Sequence, residues 1–468
     1  MNFWIVVLSP VLALVFLPVK FKHRGLFYIL SLAVALFSIF AALQLAGTEY
    51  SVRVLGLSFV IDSYARVFLV LICCTWFISI IYSYEFTKYH FQEKRIKFFL
   101  YLNTLLTVAC LNACSGSLTT LFILYVIGIP LTYPLLTIRE NAEAIASGKK
   151  FFMQTMLPSF LIFLPAIFIT QNLIGQVSFD GASTFASNHV SLSTGGIVLA
   201  LFVIGISKNS VFPFHTWLPS ASPAPAPVSG LIHSVATVKT GSIALIKIAT
   251  YIFGLDYIHQ LTSEFLTGGW ITYLCGATAV YTAYRALKSD DLKTRFGFST
   301  VGQLSYIILA ILVGTKLSIL AAVLHIITHA IAKSCLFYVA GFYNSVYHST
   351  SVRDIQKFMP HTRFVAFVIA ICGLSITGFP FLAGFYSKDM MLIEEWNAHY
   401  YSSVIFLVVG SIVNILYIIG PVRSAFKKPN PEIVVKPIPW SMTLTFLISI
   451  GLIVGSNYYV PYIITFFD

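Results

Sequence analysis

The two most informative stretches of this chain are GISKNSVFPF, from Gly205 to Phe214, and GFPFLAGFYSKD, from Gly378 to Asp389. Each places a Ser-Lys pair beside a glycine and a proline in an otherwise apolar run. Proline removes a backbone donor and clashes with the preceding turn, so each run reads as a broken helix. In hydrocarbon the freed N–H and C=O groups need a polar cavity, and a lysine beside each break gives that cavity a use. Lys208 and Lys388 stand 180 residues apart. Paired interruptions in corresponding halves point to the ion site in transporters built from inverted repeats.

The surrounding sequence has hydrocarbon as its solvent. Of 468 residues, 58% are hydrophobic and 10% charged, against the roughly 25% charged residues of a soluble domain. That balance excludes a water-soluble enzyme. The net charge of +12 reads as Lys and Arg kept on the cytoplasmic face, with no nucleic-acid partner. Apolar runs fall near 2–19, 26–46, 64–83, 98–115, 117–137, 153–175, 193–218, 225–253, 267–284, 298–314, 317–345, 364–396, 402–422 and 440–466. At about 20 residues per crossing, they predict an all-α integral membrane protein with about 14 transmembrane helices.

Loop charge tests that count, since a missed span would scramble it. Clusters from Lys20 to Arg24, Lys88 to Lys97, Arg139 to Lys150, Arg285 to Arg295, Arg353 to Arg363 and Arg423 to Lys436 sit on alternate loops and hold 21 of the 29 basic residues. Taking their side as cytoplasmic puts both termini outside. Five helices over 98–253 and five over 267–422 then start on opposite sides. The layout is an N-terminal three-helix segment at 1–97, a first repeat at 98–253, an inverted second repeat at 267–422 and a C-terminal helix at 440–468. The first run lacks a small-residue cleavage site and reads as a span, not a removable signal. Glu49 to Asp62 alternates and reads as a short outer hairpin.

Once the loops are subtracted, Lys208, Lys239, Lys247, Lys333 and Lys388 remain in or beside apolar spans, with His215, His233, His325 and His329. A charge at the bilayer centre costs at least about 2.5 to 3.5 kcal/mol, so these side chains imply snorkelling or a buried polar path. Lys247 lies toward one end of its helix and reads as a snorkelling residue. His325, His329 and Lys333 step by four along one helix face, and His233 and Lys239 share another helix. Histidine titrates near neutral pH without help. No Asp, Glu or Cys accompanies the His pair and no cysteine has CxxC spacing, so neither metal nor cofactor is expected. Among the acidic residues only Asp389, with Glu394 and Glu395 beyond it, lies near such a path.

These blocks resemble the antiporter-like proton-conducting membrane subunits shared by respiratory complex I, Mrp-type Na+/H+ antiporters and membrane-bound hydrogenases. The likeness covers about 98 to 396 and rests on PFHTWLPSASPAPAPVSGLIHSVATVKTG (Pro213 to Gly241), DLKTRFGFSTVGQLSYI (Asp291 to Ile307), HIITHAIAKSCLFYVAG (His325 to Gly341) and AGFYSKDMML (Ala383 to Leu392). The resemblance implies a proton pathway through Lys208, Lys239, His325, His329, Lys333 and Lys388; His233, His215 and Asp389 join it as candidates read from the sequence. One departure stands out. The family places a Trp-Glu pair in its fifth helix as partner to the first buried lysine, and here Tyr125 and Val126 occupy those positions.

The expected function is proton translocation, with Na+ as a second candidate cargo, by one membrane subunit of a multisubunit complex whose other membrane or peripheral subunits supply the driving force. The chain by itself is not expected to be catalytic. Its expected location is the inner membrane of a bacterial or archaeal cell. Two alternatives remain open at this point: a cation- or proton-conducting partner of an inorganic-carbon uptake complex, and a non-conducting scaffold of the same fold.

Overall fold

The computed structural model describes residues 3–16, 24–45, 50–90, 94–175, 177–179, 184–429, 433–434, 436–465 and 467. The expected loop positions Lys20 and Lys22, and the acidic residues Glu49, Glu93, Asp180, Glu432 and Asp468, lie outside them. The chain is an integral, multi-pass, mainly helical membrane protein. Among the described residues, nine helices are long and apolar enough to cross a bilayer, or ten if Trp440–Val454 and Ser456–Ile464, bent by 56°, form one span.

The other expected spans take shorter forms. The run near 2–19 is the apolar helix Phe3–Phe16, and that near 267–284 is Trp270–Lys288. The run near 193–218 stops as a helix at Gly205, turns through Ser207–Asn209 and resumes only at Trp217. The run near 364–396 divides into Arg363–Thr377 and Ala383–Asn397. Several helices overrun their apolar cores at the basic ends: Ala142–Ile174 begins eleven residues before the apolar run near 153, and Leu292–Val313 begins six before 298. Hydropathy reads the depth of hydrocarbon, whereas a helix can continue into the interface with polar residues.

The hairpin forms where expected, as Ser51–Val54 paired antiparallel with Leu57–Val60. Leu55 and Gly56 both take positive φ, the two-residue turn whose twist matches paired strands. Three helices are wholly enclosed by the others over their most apolar stretches: Ala226–Phe253, Leu292–Val313 and Lys316–Tyr347. The last is started by a reciprocal cap between Thr315 and Ser318. Helix association in lipid depends on close packing more than on apolar burial. Gly410 illustrates this, because a Cβ there would strike the Tyr306 hydroxyl.

Lys247 corrects the snorkelling expectation. It is fully buried, 3.0 Å from the Asp62 carboxylate, and donates to the Ser115 carbonyl at 3.0 Å. The base of the hairpin is thereby tied to the helix Val238–Ile248. Among the described residues this is the ion pair with both side chains buried, and nothing in the local pattern matches a hairpin Asp with a lysine 185 positions on. Removing one member of a buried pair costs about 3–5 kcal/mol, while replacing both can be neutral. Lys247→Met or Asp62→Asn alone should therefore lower the thermal unfolding midpoint in detergent well below native, and the double variant should recover most of the loss.

Candidate functional site

Each candidate residue owes its place to a local feature of the backbone. The first break follows Gly205, whose position against the Phe163 backbone leaves little room for a Cβ. Ser210, at φ 56°, reverses the chain just after Lys208. The second break follows Gly378, at φ +89°, a conformation that favours glycine. Between them, the helix expected as one span over 225–253 contains two π turns, Ile232–Ala236 and Ala249–Phe253. The first carries His233 and is followed by Thr237 in a non-helical conformation. Such bulges frequently mark functional sites.

The buried amines face neutral acceptors. Lys208 Nζ donates to the Tyr125 carbonyl at 2.7 Å and lies 4.1 Å from the centre of the Tyr125 ring, while its backbone N–H donates to the Tyr125 hydroxyl at 3.0 Å. The residues that replace the family's Trp-Glu pair thus supply a carbonyl dipole and a ring face in place of a carboxylate. Gly128 permits this approach, since a Cβ there would lie 3.1 Å from Lys208 Nζ. Lys239 Nζ bonds His329 Nδ1 at 2.9 Å. Lys333 Nζ donates to Ser299 Oγ at 2.5 Å and to the Phe296 carbonyl at 3.2 Å. Lys388 Nζ donates to Ser411 Oγ at 2.7 Å and lies 5.0 Å from the Tyr306 ring centre.

The stripe His325, His329, Lys333 fans out onto different neighbours. His325 Nε2 donates to Gln303 Oε1 at 3.0 Å, and its Nδ1 shares a hydrogen bond of 3.0 Å with the hydroxyl of Ser387, the residue before Lys388. The His325 and His329 ring centres are 6.2 Å apart, and His329 Nε2 has no partner among the described residues. One side of the long helix therefore links Lys239 to the second broken helix through two imidazoles. Lys333 turns instead to Ser299, which bonds the Tyr417 hydroxyl; Arg295 reaches the Tyr417 carbonyl at 3.1 Å. His233 bonds Thr300 Oγ1 at 3.3 Å and stacks on Phe337 with ring centres 4.1 Å apart.

Two candidates stay outside this cluster. His215 packs against Phe212 and Tyr281, with its Nδ1 unpartnered among the described residues. Asp389 is half-buried and makes no ion pair among them. Other participants were missed. Gln303, Ser387, Ser299 and Ser411 carry no signal in an apolar helix, because single uncharged polar residues there are common. Lys293, counted with a loop, is buried and holds the Ser222 and Ala224 carbonyls of the proline-rich turn at 3.2 and 2.6 Å. Among the described residues no three His, Cys, Asp or Glu side chains converge as metal ligands would.

The Lys239–His329 contact has a direct energetic test, because residues in contact couple by about 0.5–3 kcal/mol whereas distant ones add. Unfolding measurements on Lys239→Met, His329→Leu and the double variant should show such coupling. The same cycle with His215→Phe in place of His329→Leu should be additive.

Known proteins share this architecture. The transmembrane family described as NADH:quinone oxidoreductase/Mrp antiporter matches residues 115–414. A probable K(+)/H(+) antiporter protein of Rhizobium meliloti (strain 1021) is 34% identical over 249 residues, 50% of this chain and 23% of the relative. The chloroplastic NAD(P)H-quinone oxidoreductase subunit 5 of Zea mays is 29% identical over 364 residues, 73% of this chain and 46% of the relative. The chain thus spans at most about half the length of these relatives. One chain of the membrane-bound sulfane sulfur reductase, an archaeal respiratory membrane complex, has the same fold, with a TM-score of 0.84 at 20% identity over 99% of this chain and 96% of that one. From the match over 115–414, which takes in both broken helices and every lysine of the cluster, the chain belongs to the NADH:quinone oxidoreductase/Mrp antiporter transmembrane family.

Proposed function

We propose that this chain is a proton-translocating subunit of a multisubunit membrane complex, moving protons along the buried lysines and histidines while partner subunits supply the driving force. The observation that carries this reading is the hydrogen-bonded series Lys239–His329 and His325–Ser387, which joins three helices at membrane depth. Amines and imidazoles both take up and release protons. The 6.2 Å between the two imidazole centres is a step that one bridging water can span.

In this reading Lys333, Ser299, Tyr417 and Arg295 form a branch toward the basic, cytoplasmic loops, and Lys388 lies at the far end of the series. The chain crosses the membrane fourteen times with both termini outside. The segments 98–253 and 267–422 form the inverted repeats, each centred on one broken helix. Charge moves because each lysine of the path meets neutral acceptors among the described residues: no carboxylate there holds a proton in place, so a rearrangement at either break changes what the amine faces. The Rhizobium relative, a probable K(+)/H(+) antiporter, favours H+ as cargo with an alkali cation as counter-ion.

A non-conducting scaffold draws support from one observation, the carbonyl that stands where Lys208 would otherwise meet a carboxylate. Flux separates the two readings. Vesicles containing the assembled complex and a pH-sensitive dye should show proton movement that falls about a hundredfold in Lys388→Ala, the order expected for loss of a positioned proton carrier. Val126→Glu should raise it. Unchanged flux in Lys388→Ala, or in a variant lacking Lys208, Lys333 and Lys388 together, would overturn the proposal in favour of the scaffold.

A further inference from the structure

The helix Ala383–Asn397 carries a second ionisable group on the Lys388 face. Glu395 lies seven residues on, two helical turns and about 10 Å along the axis. Its side chain is fully buried, and neither carboxyl oxygen has a hydrogen-bond partner among the described residues. Buried charges normally come paired, and a structural glutamate would be anchored by donors; this one has none among those residues. Met391, also buried, lies between it and Lys388 on the same face. Tyr306 flanks both: Lys388 Nζ sits over its ring at 5.0 Å, and Glu395 lies near enough for their charges to interact. The Tyr306 hydroxyl is itself buried without a partner among the described residues.

Beyond Glu395 the structure opens. The next carboxylate, Glu394, accepts from Thr315 Oγ1 at 2.5 Å, which places this end of the helix at the start of Lys316–Tyr347, opposite the end that leads to the basic loop at Arg353. An open pocket of about 620 Å³ is lined there by Asp256, His259, Gln260, Thr315 and Lys316. Tyr400 connects the two regions. Its backbone N–H donates to the Glu395 carbonyl at 2.8 Å, and its hydroxyl donates to the His259 carbonyl at 3.2 Å.

The geometry points to Glu395 as the outlet relay of the path, the group that receives protons from Lys388 and passes them to water in the pocket beside His259. This rests on the translocation reading above. The Lys388 ammonium loses a proton and becomes an amine; the Glu395 carboxylate gains it and becomes the acid; the acid then releases it to pocket water, restoring the carboxylate. Tyr306 and Met391 separate donor from acceptor, so transfer requires Tyr306 to move or a water to enter.

Flux in vesicles containing the complex tests this with Glu395→Gln and Glu395→Asp, alongside the infrared carboxyl C=O band on an external pH jump. Expected are a conducting native protein, a loss of about a hundredfold in Glu395→Gln, partial flux in Glu395→Asp, and a titrating carboxyl band absent from Glu395→Gln. A native protein that conducts while Glu395→Gln matches it within about twofold would overturn the relay and leave the lysine path standing. A native protein that does not conduct would overturn both. Should Glu395→Gln fail to assemble, Glu395→Asp decides: a displaced carboxyl band with flux retained supports the relay, and an unmoved band overturns it.

Discussion

Hydrocarbon offers no hydrogen bonds, and every buried amine of this chain must find its acceptor on another helix. That constraint shapes the fold around it. Lys208 takes a carbonyl from Leu118–Thr137, a helix carrying Pro130 and Pro134. Lys239 takes an imidazole from the long helix, Lys333 a serine and a carbonyl from Leu292–Val313, and Lys388 a serine from Tyr401–Arg423. Each bond fixes one helix against a neighbour, so the residues that form the path also determine the packing. Pieces of broken helix sit at the centre because only there can other chain segments satisfy their backbone.

The cluster divides its charges from its counter-charges. Lys247 and Asp62 form a buried pair that secures the hairpin, and that pairing is static: each group has what it needs. The remaining lysines meet dipoles, ring faces and imidazoles, interactions weak enough to exchange. Lys293 and Arg295 are intermediate, their charges directed at carbonyls of the proline-rich turn and of Tyr401–Arg423. Conduction, in the proposed reading, uses the group without carboxylates, and Glu395, fully buried and unpartnered among the described residues, stands at the far end of it.

Much of this was legible in the sequence because hydrocarbon penalises polar groups so heavily that each buried lysine or histidine is conspicuous. The hairpin, the two breaks and the helical character of the long apolar runs are local matters of residue type: alternation, glycine and proline, and runs of Leu, Ile, Val and Phe. Helix ends at the basic loops were misplaced for an equally physical reason, since charged residues end an apolar run without ending a helix. The π turn at His233 has no local sequence marker and depends on the packing of a helix wholly enclosed by others.

Composition and spacing suffice to establish that the chain lives in a membrane, that its helices break beside Lys208 and Lys388, and that amines and imidazoles lie along them, because these properties act through solvation and local backbone sterics. Which of these groups meet is a matter of packing. Periodicity placed His325, His329 and Lys333 on one face, yet the neighbouring helices send the first to Gln303 and Ser387, the second to Lys239 and the third to Ser299. They likewise match Lys247 with Asp62, leave His215 among aromatic rings and bury Glu395 without a donor among the described residues, since contacts between distant segments are set by how helices pack and not by any one helix's own sequence.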